Sequence, residues 1–248
     1  MDGTMSNSPK PEWSRFAELV HAGGGQWLTR GYHHLGAMGA FAASRLGLSP
    51  NAVTLVSALC VLVAVCILGY TGLGSLWASV VVFVLMAVGY VLDCADGQLA
   101  RATQQCSKLG AWLDHLVDAG KIFLVNFCIG WVLINRPEVH GLEVALCFVA
   151  MVLNITGSAL YFFAWNFKVL IAGDGLIERM SDKKSQGKVR LLKLSHQVTD
   201  YGWFPFIFLV MVDPGKFAMV YLVYGAITFL IFMGYIVLSA GYMAKLKD

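Results

Sequence analysis

Long apolar runs constrain this chain more than any other feature of its sequence. Six runs lie at about 52–72, 76–93, 111–134, 141–165, 198–212 and 217–241. An α-helix needs about 20 apolar residues to cross about 30 Å of hydrocarbon. The composition agrees, because 58% of the 248 residues are hydrophobic and only 13% are charged. We therefore predict an all-α integral membrane protein with six transmembrane helices.

The basic residues predict which ends of these helices face the cytoplasm. With the N-terminus inside, 15 of the 18 Lys and Arg residues fall on the inner side, as the positive-inside rule expects. Both termini and the connection between the second and third spans are then cytoplasmic, in a membrane that we take to be bacterial or archaeal. The formal net charge of +3 is modest. It predicts attraction to anionic lipid and no nucleic-acid partner.

The residues before the first span follow a different pattern. Apolar residues such as Trp13 and Trp27 recur at helical spacing among polar residues and glycines. This pattern fits two amphipathic helices, broken at glycines 23–25, that lie on the inner membrane surface. It fits equally well a helix packed against the bundle. We assign 1–47 to an N-terminal tail with juxtamembrane helices and 48–248 to a six-helix transmembrane domain.

The segment between Asp93 and Asp118 carries the polar chemistry of the chain. One set of residues has the spacing i, i+3, i+7 and another has the spacing i, i+4, i+8, so each set shares one helix face. The first set is Asp93, Asp96 and Ala100, and the second is Gly110, Asp114 and Asp118. If the two helices form a hairpin across their short polar connection, four carboxylates meet.

Carboxylates at a membrane edge are costly and are candidates for function. Like charges in a low-dielectric pocket repel one another, whereas divalent cations remove the repulsion. Hard oxygen ligands suit Mg²⁺, Mn²⁺ or Ca²⁺, and two metal ions beside a phosphate are a recurrent catalytic arrangement. Gly97 and Gly110 leave that face open for a ligand. We predict a metal site here, in preference to a cluster of structural salt bridges.

The start of the first span places further polar groups at the same membrane depth. Ser49 can cap the helix and Pro50 can occupy its first position, which needs no functional explanation. Asn51 and Thr54 lie three residues apart on the first turn. They can therefore face the same cavity as the aspartates.

The Asp93–Asp118 segment resembles the CDP-alcohol phosphotransferase family, whose signature is D-x2-D-G-x2-A-R-x8-G-x3-D-x3-D. Every fixed position and spacing is matched, by Asp93, Asp96, Gly97, Ala100, Arg101, Gly110, Asp114 and Asp118. Eight fixed residues over 26 positions make a chance match rare. The resemblance covers about 48–121 and includes a similar Pro-Asn-x-x-Thr opening.

The resemblance implies transfer of a substituted phosphoryl group from a CDP-linked donor, usually CDP-diacylglycerol, to an alcohol, with release of CMP. It implies two Mg²⁺ or Mn²⁺ ions on Asp93, Asp96, Asp114 and Asp118, the last of which is also the general base. Contacts to the CDP donor are assigned to Asn51, Thr54, Asp96, Gly97, Ala100, Arg101 and Gly110. A homodimer is also implied. Gly36, Gly39, Gly225 and Gly234 permit close helix approach, within one chain or between two.

The signature does not define the alcohol acceptor. Candidate contacts are Lys121, Arg190, Lys193 and His196. Arg190 and Lys193 suit a phosphorylated polyol such as inositol phosphate or glycerol phosphate, although the basic 179–193 segment fits a solvated loop as well. Lys121 is equally a counter-charge for Asp118. An unusual donor or acceptor, such as a phosphonate headgroup, and a cation-binding transporter are the alternatives.

Overall fold

The computed structural model describes residues 12–22, 27–136, 141–172 and 201–243, which are almost entirely helical and include no strand. The described helices, in chain order, are α1 (Trp13–Ala22), α2 (Trp27–Leu46), α3 (Pro50–Thr71), α4 (Leu76–Ala102), α5 (Lys108–Ile134), α6 (Leu142–Ala172), a 3-10 helix (Tyr201–Val212) and α7 (Pro214–Met243). The predicted all-α fold class is confirmed.

Five helices in the described part of the chain are long and apolar enough to cross a membrane. These stretches are Pro50–Thr71, Leu76–Ala102, Lys108–Ile134, Val144–Ala164 and Pro214–Val237, and they coincide with five of the six predicted spans. The span predicted at 198–212 is described only from Tyr201. Its apolar helix Gly202–Val212 is shorter than the other five. Five candidate spans are therefore present, and the sixth stays a prediction.

The predicted cap at the start of α3 is present. Ser49 Oγ accepts a hydrogen bond from the backbone N–H of Ala52 at 3.2 Å, and Pro50 is the first helical residue. Just before it, α2 ends at Gly47, whose φ of 72° lies in the left-handed region. The backbone N–H of Leu48 donates to the Ala43 carbonyl at 3.0 Å, as in a Schellman motif. The chain therefore passes from α2 to α3 in a tight turn.

One compact unit comprises Met1–Leu62 and Leu85–Asp118. Its buried apolar core draws on the first four helices and consists of Phe16, Val20, Ala37, Ala40, Ala43, Val53, Ala95, Leu99 and Ala102. Small residues of α2 thus pack against the last turns of α4. This contact matches the packed-helix interpretation of the N-terminal segment. A position of α1 and α2 at the membrane surface stays a prediction, and glycines 23–25 lie outside the described residues.

The other compact unit comprises Val63–Val84 and Ala119–Asp248. In it α6 packs along α7, and a Cβ at Gly225 would stand 2.4 Å from Asn154 Nδ2. The Tyr221 hydroxyl donates to Asn126 Oδ1 at 2.9 Å. Packing within the chain therefore explains Gly225, whereas a Cβ at Gly234 would have no neighbour within 4 Å among the residues that the structure describes. The homodimer stays a prediction.

Candidate active site

The first two aspartates lie on α4, which continues well past its apolar part. The helix is unbroken to Ala102, so the predicted helical spacing of Asp93, Asp96 and Ala100 is present. Gln104 then adopts a φ of 58°. The backbone N–H of Gln105 donates to the Ala100 carbonyl at 2.8 Å, which completes a Schellman motif without glycine. The motif ends α4 sharply and turns the chain toward α5.

The second pair of aspartates lies near the start of α5. Ser107 caps this helix, because its Oγ accepts the backbone N–H of Gly110 at 2.9 Å. Asp114 and Asp118 follow Gly110 at intervals of four residues on the continuous helix. The connection between α4 and α5 is therefore short and is capped at both ends. It folds the two acidic faces into the predicted hairpin.

Three carboxylates meet in this hairpin. Asp93, Asp114 and Asp118 each offer an oxygen atom, and these atoms lie within 4.8 Å of one another. All three residues are partly buried. Each can therefore contribute a ligand atom to a common cation while a side of the cluster stays open to solvent.

The fourth aspartate has different surroundings. Asp96 is 5% exposed, and its Oδ2 accepts a hydrogen bond from the Thr54 hydroxyl at 2.5 Å. Its carboxylate also interacts with the charges of Asp114 and Asp93. Asp96 therefore borders the three-carboxylate cluster, but α3 holds its side chain. The sequence predicted that Thr54 would face the aspartates, and this is confirmed, although the hydrogen bond itself was not foreseen.

Two glycines of the motif lie beside polar side chains. A Cβ at Gly97 would stand 3.3 Å from an Arg101 guanidinium nitrogen. A Cβ at Gly110 would stand 3.2 Å from Asn51 Oδ1. Both glycines thus allow a polar group to approach the helix backbone, and Asn51 is brought to the motif as predicted. Arg101 itself is exposed at the end of α4.

The structure describes one of the four predicted acceptor residues. Lys121 is buried in α5 and belongs to the unit that begins at Ala119. Arg190, Lys193 and His196 lie outside the described residues. The acceptor assignment therefore stays a prediction.

One buried polar pair went unnoticed in the sequence. Gln98 is fully buried, and its Nε2 lies 3.1 Å from the backbone carbonyl of His33 and 3.2 Å from His33 Nδ1. The only signal for this contact was Gly36, which marks a place where α2 can approach another helix closely. That signal did not identify α4 as the neighbouring helix.

The donor set fits a divalent metal ion. The carboxylates of Asp93, Asp114 and Asp118 supply hard, anionic oxygens, which Mg²⁺ and Mn²⁺ prefer. Their partial burial leaves room for a ligand from solution on the same ion. The cluster can therefore hold a metal that also contacts a phosphate-containing substrate, while its geometry does not select one ion.

The fold and this acidic site together define a class of helical membrane proteins with a carboxylate site in one helical hairpin. The family described as CDP-alcohol phosphatidyltransferase matches residues 47–244, which is most of the chain. The protein belongs to this family, and the family resemblance noted in the sequence is confirmed.

A relative from Pyrococcus horikoshii, named archaetidylinositol phosphate synthase, is similar to part of the chain. The two are 38% identical over 73 residues, which is 29% of this chain and 36% of the relative. The match thus covers little more than a third of the relative.

Proposed function

We propose that this protein transfers a substituted phosphoryl group from a CDP-linked lipid, of the CDP-diacylglycerol type, to an alcohol and releases CMP. The observation that carries the proposal is the cluster of Asp93, Asp114 and Asp118, whose oxygen atoms lie within 4.8 Å of one another. It is supported by the complete eight-residue motif and by the family match over residues 47–244. A donor or acceptor with a phosphonate headgroup is the main alternative within the same chemistry.

We assign the metal-holding role to Asp93, Asp96, Asp114 and Asp118, with two Mg²⁺ or Mn²⁺ ions. Bound metal supplies positive charge that offsets the negative charge of the donor diphosphate. Asp96 can join this set only if the Thr54 hydroxyl leaves one of its carboxylate oxygens available, and the contact involves Oδ2 alone. Thr54 therefore orients the Asp96 side chain toward a fixed position.

The remaining motif residues bind and orient the donor. The guanidinium of Arg101 lies close to Gly97 and offers several donors to phosphate oxygens. The cytidine can lie directly against the helix backbone where side chains are small or absent, at Gly97, Ala100 and Gly110. Asn51 then lies at the edge of the cytidine. Asp118 is assigned as the general base that takes the proton from the acceptor hydroxyl, which is the role that the family resemblance implies.

For the acceptor we propose a phosphorylated polyol, with inositol phosphate first. The relative from Pyrococcus horikoshii is named for archaetidylinositol phosphate. Arg190 and Lys193 are suited to bind a phosphate, with His196 and Lys121 as further contacts. Glycerol phosphate is the second candidate on the same argument.

We further propose that the catalytic domain spans 48–248 and that the active site and both termini face the cytoplasm. The distribution of Lys and Arg supports this orientation, and the family match begins at residue 47. In this arrangement the water-soluble acceptor and the released CMP exchange with the cytoplasm. The lipid donor enters from the inner leaflet, and a homodimer is the proposed assembly.

The test is CMP release by purified protein in detergent with CDP-diacylglycerol and Mg²⁺ or Mn²⁺. Separate reactions contain inositol 1-phosphate, glycerol 3-phosphate, serine, free inositol or no acceptor. We expect metal-dependent release with inositol 1-phosphate. Release with serine or free inositol alone would refute the phosphorylated acceptor but leave the transferase reaction in place.

Asp114→Asn tests the cluster itself. This variant should lose metal-dependent CMP release while retaining its elution volume and, in excess chelator, its melting temperature. Asp213→Asn is the matched control. Asp213 caps the start of α7, where its Oδ1 accepts the backbone N–H of Lys216 at 3.1 Å, and Asn caps a helix as well as Asp does. The control should keep its activity. Full activity of Asp114→Asn would refute the proposed mechanism.

A further inference from the structure

Helix α2 precedes the part of the chain that the family match covers, which starts at residue 47. It nevertheless packs against the end of α4, where two of the motif aspartates lie. Alanines of α2 share a buried core with Ala95, Leu99 and Ala102 of α4. The rings of Tyr32 and Tyr90 meet edge to face with their centroids 4.7 Å apart. The helix outside the family match thus contacts the helix that bears the site.

The closest approach occurs between Asp93 and Asp96. A Cβ at Gly36 would stand 2.9 Å from Cys94 Cβ and 3.3 Å from the backbone nitrogen of Ala95. Cys94 and Ala95 are the two residues that separate the aspartates in sequence. The backbone of α2 therefore rests on the turn of α4 that carries both carboxylates.

A polar contact fixes the same two helices one turn further along. Gln98 Nε2 donates to the His33 carbonyl oxygen at 3.1 Å and lies 3.2 Å from His33 Nδ1. Gln98 is fully buried, and its Oε1 has no hydrogen-bond partner among the described residues. An unsatisfied buried oxygen is costly. The contacts of Gln98 to His33 tie α2 to the turn of α4 that follows Asp96.

We propose that α2 positions the Asp93–Asp96 turn of α4, so that Gly36, His33 and Gln98 are positioning residues for the metal-binding carboxylates. The inference rests on the proposed function, in which Asp93 and Asp96 bind the metal ions. None of these three residues belongs to the metal-binding or donor-binding set proposed above. They act through the backbone of α4.

The geometry sets the size of the effect. Ordinary contact for a Cβ begins at 3.4 Å, so an alanine at position 36 must move α2 and α4 apart by about 0.5 Å. Metal sites tolerate distance errors of about 0.2 Å. Because a helix moves as a rigid rod over one turn, both aspartates move together. Loss of groups that orient metal ligands typically weakens metal binding by about 10- to 100-fold.

A pair of glycines on α2 provides the matched test. Gly36→Ala introduces the close contact, whereas Gly31→Ala places the same methyl group where no atom of the described residues lies within 4 Å. Both changes raise the helix propensity of α2 equally. Mn²⁺ binding is measured on the purified full chain from the signal of free Mn²⁺ in electron paramagnetic resonance. We expect Gly36→Ala to weaken binding by about 10- to 100-fold and Gly31→Ala to leave it unchanged.

Gln98→Leu separates positioning from stability. Leucine has a similar volume and removes both the hydrogen bonds to His33 and the unsatisfied oxygen. The melting temperature should be unchanged or higher, whereas Mn²⁺ affinity should fall by about tenfold or more. A merely structural contact would move both quantities in the same direction. Unchanged Mn²⁺ affinity in both Gly36→Ala and Gln98→Leu would overturn the proposal.

Hydrogen exchange distinguishes this inference from the proposed metal site. Exchange of the α4 amides around 93–98, measured without metal, should be about tenfold faster in Gly36→Ala than in Gly31→Ala, because overpacking loosens the contact. If the unmodified protein and all variants fail to bind Mn²⁺, the metal site is refuted. Hydrogen exchange alone then decides whether α2 positions the turn of α4. Equal exchange in the two glycine variants overturns that role.

Discussion

The hydrogen bond between Thr54 and Asp96 should contribute more to stability than any neutral hydrogen bond between α3 and α4. The Thr54 hydroxyl lies 2.5 Å from Asp96 Oδ2, and the two residues are 4% and 5% exposed. When Asp96 is ionised, a hydrogen bond to its carboxylate contributes about 1.5–3 kcal/mol. Short O–H···O⁻ contacts of this length are among the strong ones. We therefore expect Thr54→Val to lower the free energy of unfolding by about 2–3 kcal/mol.

Valine is a suitable replacement because it has nearly the same shape and helix propensity as threonine. A comparison within the same pair of helices is available in Ser57, whose hydroxyl donates to the Gly89 carbonyl at 2.7 Å. Its acceptor is neutral and keeps its helical hydrogen bond after the change. Ser57→Ala should therefore cost only about 0.5–1.5 kcal/mol.

The free energy of unfolding is measured in mixed micelles by titration with a denaturing detergent, at an alkaline pH at which Asp96 is ionised and in excess chelator so that metal does not contribute. Thr54→Ser retains the hydroxyl and should recover most of the loss. The reasoning is refuted if Ser57→Ala costs as much as Thr54→Val, or if Thr54→Val is as stable as the unmodified protein.

Two further outcomes are expected. Removal of divalent metal with chelator should lower the melting temperature, and adding Mn²⁺ back at 100 times its dissociation constant should restore about 2.7 kcal/mol of unfolding free energy. Asp114→Asn should show no such response to metal. A full response of this variant would count against the cluster as the metal site. At the start of α7, the hydrogen bond from Lys216 lowers the pKa of Asp213 below its usual 3.8. The unmodified protein should be more stable than Asp213→Asn from pH 7 down to about 3.8. This difference should decline only below that pH, since protonation of Asp213 in the folded state removes its interaction with Lys216. A loss of the difference already at pH 6 would contradict the assigned cause.

Much of the fold follows from properties that act locally along the chain. Each of the five spans is predicted by the apolar composition of its own residues. The face shared by Asp93, Asp96 and Ala100 follows from the helical period of 3.6 residues. The cap at Ser49 depends only on residues within one turn. Such features can be predicted because neighbouring residues alone decide them.

Other expectations depended on contacts that no local pattern specifies. Gly36 permitted close helix approach, but the sequence could not decide between another chain and α4. The four carboxylates were expected to form one set, whereas the structure groups Asp93, Asp114 and Asp118 and ties Asp96 to Thr54. The end of α4 at Gln104 lacks the glycine that usually signals such a turn.

The sequence by itself determined that this chain is helical with long apolar spans, which family it belongs to, and which residues are the candidates for its chemistry. Tertiary structure alone decided that α2 packs on the acidic turn of α4 through Gly36 and that Gln98 bonds to His33. The reason is that hydrophobic period and motif spacing record which face of a helix is used. Which helix meets that face is decided by packing between segments distant in sequence.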